Sequence, residues 1–184
     1  MSPSVYLLAA GNGTRAGGPK AWRPYQGKGL LQRQMDFLLA RFGPDDIAVS
    51  IQQAWLNRCR EIHPLVRWTC VAPGLSPLGA LLELLAAMPL TRWGFLYHVD
   101  MPVWEPGLFD ILENELGRAE REGSHALIPT HQGRKGHPIA LAARMRAELT
   151  ALDPVNDRLD WWLRSRKVVT VEVPNPCINE NLNR

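Results

Sequence analysis

The chain predicts a three-layer α/β/α sandwich on a mostly parallel sheet. Short apolar runs alternate with segments of helical periodicity, the pattern of strand-helix-strand units. The first run, Val5-Tyr6-Leu7-Leu8-Ala9, is apolar throughout, as expected for a strand buried on both faces. No linker, internal repeat or low-complexity stretch divides the 184 residues, so a single domain over 1–184 is expected.

Each element has its own signal. Residues 5–9 form the first strand. Leu30, Leu31, Met35, Leu38, Leu39 and Phe42 recur at helical spacing until Gly43-Pro44 stops the helix. Residues 47–51 and 66–72 read as the next strands, and 77–88, rich in Leu and Ala, as a helix. A fourth strand spans 93–99 and ends at Asp100. Residues 108–121 are helical. Two short strands, 126–129 and 138–142, flank a polar loop. Helices over 144–152 and 159–164 and a strand over 168–173 complete the pattern. In such sheets ligands bind beyond the carboxyl ends of the strands. The loop 11–20 and the turn at Asp100-Met101-Pro102 fall there.

Composition narrows the class. Apolar residues make up 46% and charged residues 21%, a globular balance. No apolar run approaches the roughly 20 residues that span a bilayer, so no membrane partner is expected. Residues 1–10 lack a basic start and read as a core strand rather than a signal peptide. The three cysteines, Cys59, Cys70 and Cys177, match no zinc or redox spacing, and a reducing cytoplasm is the simplest location. The net charge of +3 is spread along the chain. It fits a solvated surface with one anion site better than a nucleic-acid footprint.

The anion site is the loop Leu8-Ala9-Ala10-Gly11-Asn12-Gly13-Thr14-Arg15-Ala16-Gly17-Gly18-Pro19-Lys20. Four glycines in eight residues, 11–18, let the backbone turn sharply and aim its amides at a ligand. Arg15 and Lys20 add charges suited to phosphate oxygens. Gly11, Gly13 and Ala16 satisfy a dinucleotide fingerprint, but that fingerprint wants an acidic residue about 20 residues on, and the second strand ends in Ile51-Gln52-Gln53. A P-loop would need Gly-Lys followed by Ser or Thr, which is absent. The signature loop of a nucleoside-triphosphate transferase remains, beside a plain glycine-rich turn. Tyr97-His98-Val99-Asp100-Met101-Pro102 then puts a carboxylate at a strand end. Mg2+ takes one or two carboxylates plus substrate phosphates. An aspartate capping the next helix would look the same.

The two motifs together resemble the MobA-like nucleotidyltransferase family, which builds molybdenum-cofactor dinucleotides. The likeness spans nearly the whole chain. Residues 8–20 are similar to its glycine-rich signature. Gly27-Lys28-Gly29-Leu30-Leu31 is similar to its Gly-Lys-Pro-Leu-Leu segment, and Pro77-Leu78-Gly79-Ala80-Leu81 to its helix start. Asp100-Met101-Pro102 looks like its metal turn, and Gly136-His137-Pro138 like its acceptor motif. The resemblance implies a Rossmann-like nucleotidyltransferase fold, with a nucleotide half at about 1–102 and an acceptor half at about 103–184. It implies that an acceptor phosphate attacks the α-phosphorus of a nucleoside triphosphate and releases pyrophosphate. Arg15, Lys20 and Asp100 would be catalytic. Leu8, Ala9, Ala10, Gly11, Asn12, Gly13, Pro77 and Leu78 would bind nucleotide. Asp100 and Asn181 would hold Mg2+, and His137 and Pro138 would meet a phosphorylated small molecule, molybdopterin in this family. A downstream molybdoenzyme is a further expected partner.

The chain departs from the family at several points. The family's closing Thr-Pro-x-Asp is absent after Asn179 and Asn181. Gly29 replaces a proline, and His98 stands where relatives carry glycine. Ala10 and Gly136-His137-Pro138 lean to CTP, whereas the Pro77 segment leans to GTP. The balance slightly favours CTP. His63, His125 and His131 show no ligand spacing. Trp161-Trp162, with Leu159 and Leu163, reads as packing, and Asp157 and Asp160 as a cap and a solvated face. A sugar- or polyol-phosphate nucleotidyltransferase, a non-catalytic nucleotide- or cofactor-binding accessory protein, and an NAD-binding oxidoreductase are the alternatives.

Overall fold

Strand β1, Ser4–Leu8, is buried along its whole length, and its alternating side chains define the layers. Val5 and Leu7 join one apolar cluster with Leu31, Met35, Leu38, Phe109 and Leu112. Tyr6 and Leu8 join another with Leu81, Leu84, Leu85, Met145 and Leu163. One sheet with helices on both faces is therefore the architecture, as predicted. The computed structural model describes residues 2–13 and 17–182.

In chain order, β1 is followed by a hairpin of β2, Pro24–Tyr25, and β3, Lys28–Gly29, then helix α1, Leu30–Leu39. Next come β4, Ile47–Gln52, α2, Leu56–Ile62, β5, Arg67–Val71, and α3, Pro77–Ala87. Strand β6, Gly94–His98, and α4, Pro106–Arg121, follow. The second half holds β7, Ala126–His131, β8, Arg134–Lys135, and β9, Ile139–Leu141. It closes with α5, Arg146–Thr150, α6, Leu159–Leu163, and β10, Val168–Glu172.

The main sheet runs β10-β7-β9-β6-β1-β4-β5, with β8 paired to β7. Strand β1 pairs parallel with both β4 and β6, and β5 extends the parallel set beyond β4. Strand β9 is inserted antiparallel between β6 and β7, and β10 runs parallel to β7. The chain steps outward from β1 to β4 and β5, then returns to the other side of β1 as β6. That reversal is the switch point where such sheets open a crevice. In the register Leu8 lies opposite His98, so the glycine loop and the Asp100 turn emerge side by side.

Local chemistry explains the boundaries. Ser76 caps α3 by accepting from the Gly79 N–H at 3.1 Å, with Pro77 in the first turn. Gln26 and Gly27, with φ of 48° and 82°, make the mirror-image turn that joins β2 to β3. The predicted helix over 144–152 is a 3-10 turn, Ala143–Met145, leading into the shorter α5. Helix α1 stops at Leu39, short of Phe42, although Phe42 is still core.

Candidate active site

The carboxyl ends of β1, β4, β5 and β6 surround a cleft of about 820 Å³. Leu8, Ala9, Ala10, Gly11, Asn12, Gly13 and Lys20 form one wall, and His98, Val99 and Asp100 form the floor. Ser50, Ala72, Gly74, Leu75, Pro77 and Ala80 close the opposite side. The amino end of α3 therefore opens on the cleft, and its dipole adds partial positive charge there.

The loop is shaped by its own backbone. Gly13 has φ of +59°, and a Cβ there would overlap the Gly18 carbonyl; the Gly18 N–H donates to the Gly13 carbonyl at 3.1 Å. Glycine is required at that position by both conformation and contact. Gly11 differs, because a Cβ there would meet no atom of the described residues within 4 Å. The base of the loop is pinned from β4. The Ala9 N–H donates to the Ser50 hydroxyl at 3.2 Å, and the Gln52 amide donates to the Ala10 carbonyl at 2.9 Å and to Asn12 Oδ1 at 2.5 Å.

Across the cleft, Asp100 is 4% exposed, and its Oδ2 accepts from Lys20 Nζ at 2.5 Å. The turn carrying Asp100 is held from α1. Gln34, fully buried, donates to the carbonyls of Val99 at 3.2 Å and Met101 at 2.6 Å. Gln34 also accepts from the Trp104 indole at 2.9 Å. His98 and His137 meet edge to face, 6.3 Å between ring centres. Burial pushes the His98 imidazole down, reinforced by Lys20 and opposed by Asp100. Burial and the neighbouring His98 push His137 down to about 4, against a backbone hydrogen bond at Leu96 and the Asp100 charge. Both rings are thus neutral at neutral pH, and Asp100 faces no imidazolium.

The structure brings together Leu8, Ala9, Ala10, Gly11, Asn12, Gly13, Pro77, Lys20 and Asp100 around this one cleft. Arg15 lies outside the described residues. Leu78 is absent from the cleft lining; it is 4% exposed and packs in the core. Leu75, one turn earlier, stands in the wall instead. His137 and Pro138 stand behind His98, not in the cleft wall. Asn181 is exposed beside Leu182, whose N–H donates to the Asp100 carbonyl at 2.8 Å. Sequence reasoning missed Ser50, Gln52, Ala72 and Gly74. Their places at the ends of the second and third predicted strands were the available signal.

A divalent cation fits the donor set. Asp100 offers a hard, nearly buried carboxylate, and the described residues contain no cluster of three or more His, Cys, Asp or Glu that would hold a metal alone. One carboxylate completed by waters and substrate phosphates is the arrangement Mg2+ adopts.

A glycine-rich loop, a lysine and a single carboxylate meet at the switch point of a mostly parallel sheet, an arrangement suited to a nucleotidyltransferase of the α/β class. The family model of the MobA-like NTP transferase domain matches residues 5–169, and the chain belongs to that family. It is accordingly a nucleotidyltransferase, as predicted. A molybdenum cofactor guanylyltransferase of Xanthomonas euvesicatoria pv. vesicatoria strain 85-10 is 27% identical over 146 residues, covering 79% of this chain and 68% of that protein. Rv0371c of Mycobacterium tuberculosis H37Rv has the same fold, with a TM-score of 0.73 at 20% identity over 94% of this chain and 89% of that one. Its manganese complex superimposes with a TM-score of 0.68. Molybdopterin-guanine dinucleotide biosynthesis protein A of Archaeoglobus fulgidus gives a TM-score of 0.63 at 20% identity, covering 92% and 83% of the two chains.

Proposed function

We propose that the protein transfers a nucleotidyl group, with Mg2+, from CTP to the phosphate of a molybdopterin-type acceptor. The observation that carries this reading is the Lys20–Asp100 pair, 2.5 Å apart, lining the cleft beside the glycine-rich loop. An acceptor phosphate oxygen bonds to the α-phosphorus, the bond to the bridging oxygen of the β-phosphate breaks, and pyrophosphate leaves. The nucleophile is already ionised at neutral pH, so no general base is required. Catalysis is then positioning and charge neutralisation.

In this reading the amides of Gly11, Asn12 and Gly13 cradle the triphosphate, with Leu8, Ala9, Ala10, Pro77 and the backbone at Leu78 about the nucleoside. Lys20 moves from Asp100 to the phosphates, and Arg15 adds a second cation. Asp100 and the Asn181 amide oxygen would hold Mg2+, whose positive charge would offset that of the triphosphate. His137 and Pro138 back the acceptor side through His98. A nucleotide half at about 1–102 and an acceptor half at about 103–184 would share one domain. A cytoplasmic setting and a downstream molybdoenzyme that receives the product complete the proposal.

Ala10 and Gly136-His137-Pro138 favour CTP. A second reading, GTP, is favoured by the guanylyltransferase name of the Xanthomonas relative. Pyrophosphate release tests both. With molybdopterin and Mg2+, CTP should be consumed faster than GTP, and Asp100→Ala should lower the rate about 100-fold or more. Preference for GTP reverses the base assignment. Release with a sugar or polyol phosphate, and none with molybdopterin, would replace the acceptor. Full activity in Asp100→Ala would remove the metal role.

A further inference from the structure

The stretch from Pro176 to Leu182 runs from His137 to the Asp100 turn, and its ties are specific. It begins with a 3-10 turn, Pro176–Asn179, that buries Ile178 to 1% exposure. The His137 N–H donates to the Ile178 carbonyl at 2.9 Å. Gly136 has no room for a Cβ against Ile178, so the two segments are in close backbone contact. Four residues on, Leu182 is gripped at both ends of its backbone. Its N–H donates to the Asp100 carbonyl at 2.8 Å, and its own carbonyl accepts from Arg23 Nη1, also at 2.8 Å.

The arm that reaches Leu182 is itself fixed. Arg23 ends the 3-10 turn Lys20–Trp22, its N–H donates to the Lys20 carbonyl at 3.1 Å, and its carbonyl accepts from the Leu30 N–H at 3.0 Å. Two cations on one short turn therefore reach the same place. Lys20 holds the Asp100 carboxylate, while Arg23 holds the residue bonded to the Asp100 backbone. Lys20, Asp100, Leu182 and Arg23 form a closed ring drawn from three separate segments. Asn181 is the residue immediately before the gripped one.

We infer that Arg23 is a positioning residue, latching the carboxyl-terminal stretch across the Asp100 turn and so presenting Asn181 to the metal. This rests on the reading of Asp100 and Asn181 as the metal pair. Without the guanidinium, the Leu182 carbonyl loses a charged donor. The backbone at Asn181 then keeps the Leu182 N–H bond to Asp100 and the bonds at Cys177 and Ile178, but loses the tie on its outer side. A hydrogen bond to a charged group carries enough energy for roughly a tenfold effect or more.

Three variants of the full chain, Arg23→Gln, Arg23→Lys and Asn181→Ala, decide it through two measurements. The first is hydrogen exchange of the Leu182 amide in metal-free protein. The second is a Mn2+ titration by electron paramagnetic resonance at a fixed concentration of CTP. Arg23→Gln should speed the exchange and raise the Mn2+ half-saturation by about tenfold. CTP affinity at saturating Mn2+ should hardly change, and Arg23→Lys should recover part of both effects. Asn181→Ala should raise the half-saturation while leaving the exchange slow. Unchanged exchange and unchanged Mn2+ titration in Arg23→Gln overturn the latch. If neither Mn2+ nor Asn181→Ala affects CTP binding in otherwise normal protein, the metal reading beneath it fails instead.

Discussion

Gly11 and Gly13 sit two residues apart, yet their missing side chains serve different ends. Gly13 needs the left-handed backbone and has no space for a Cβ. Gly13→Ala should destabilise the fold by at least about 1–2 kcal/mol, the cost of a side chain in that conformation. Thermal unfolding should show this as a lower midpoint by several degrees. The Cβ of Gly11→Ala meets no atom of the described residues, so its midpoint should stay within about 1 °C of wild type. Its loss should appear in the shift that saturating triphosphate produces, normally roughly 5 to 10 °C at 100 times the dissociation constant. A full ligand shift in Gly11→Ala would place the phosphates elsewhere. At this scale Asp100 was legible as a carboxylate just past a strand end, and Lys20 as the cation that closes the glycine-rich loop. Gln34 and Gln52 were not. A neutral amide matters here only for the carbonyls it reaches, and Gln34 reaches carbonyls 65 and 67 positions away.

Helix α1 acts on the site through that one glutamine. Its other buried residues, Leu30, Leu31, Met35 and Leu38, pack as the periodicity requires, and Gln34 interrupts the apolar stripe. Gln34→Leu keeps the volume but removes the Gln34 partner of the Val99 carbonyl and the Trp104 indole, while the Met101 carbonyl keeps its bond from the Val103 N–H at 2.9 Å. A buried polar group left unpaired costs about 1–3 kcal/mol. The variant should unfold at lower urea, and the surviving folded protein should release pyrophosphate more slowly because the Asp100 turn is no longer fixed. Wild-type stability together with wild-type turnover would mean that the turn holds itself. Other elements were legible in proportion to their apolar pattern. Strands β1, β4 and β6 and helices α1, α3 and α4 all carry one. Helix α2 buries only Cys59, and β2, β3 and β8 are two residues each. None of these leaves a periodicity to find, and β9 gives no sign in its sequence that it runs antiparallel.

For the molecule as a whole, the half-buried histidine pair couples folding to pH. The His137 imidazole, ordinarily near 6.5, lies at about 4 in the folded protein because burial disfavours its charged form. His98 is shifted the same way, with Lys20 adding to its burial and Asp100 opposing. Between those values the unfolded chain binds a proton that the folded chain refuses, so stability falls as pH falls. For His137 alone the loss between pH 7.5 and 5.0 is roughly 2 kcal/mol, before the carboxylates begin to titrate strongly. Urea unfolding in metal-free buffer at pH 7.5, 6.0 and 5.0 should trace this loss. His137→Gln removes the titrating ring, so its curve should be flatter over the same interval, whatever its stability at pH 7.5. A variant that loses as much as wild type would place the acid sensitivity elsewhere. The slope is set by geometry more than by either residue. Strand β9, inserted between β6 and β7, brings His137 against His98 although 38 intervening residues separate them in the sequence, and the His98 ring adds to the burial that keeps His137 uncharged.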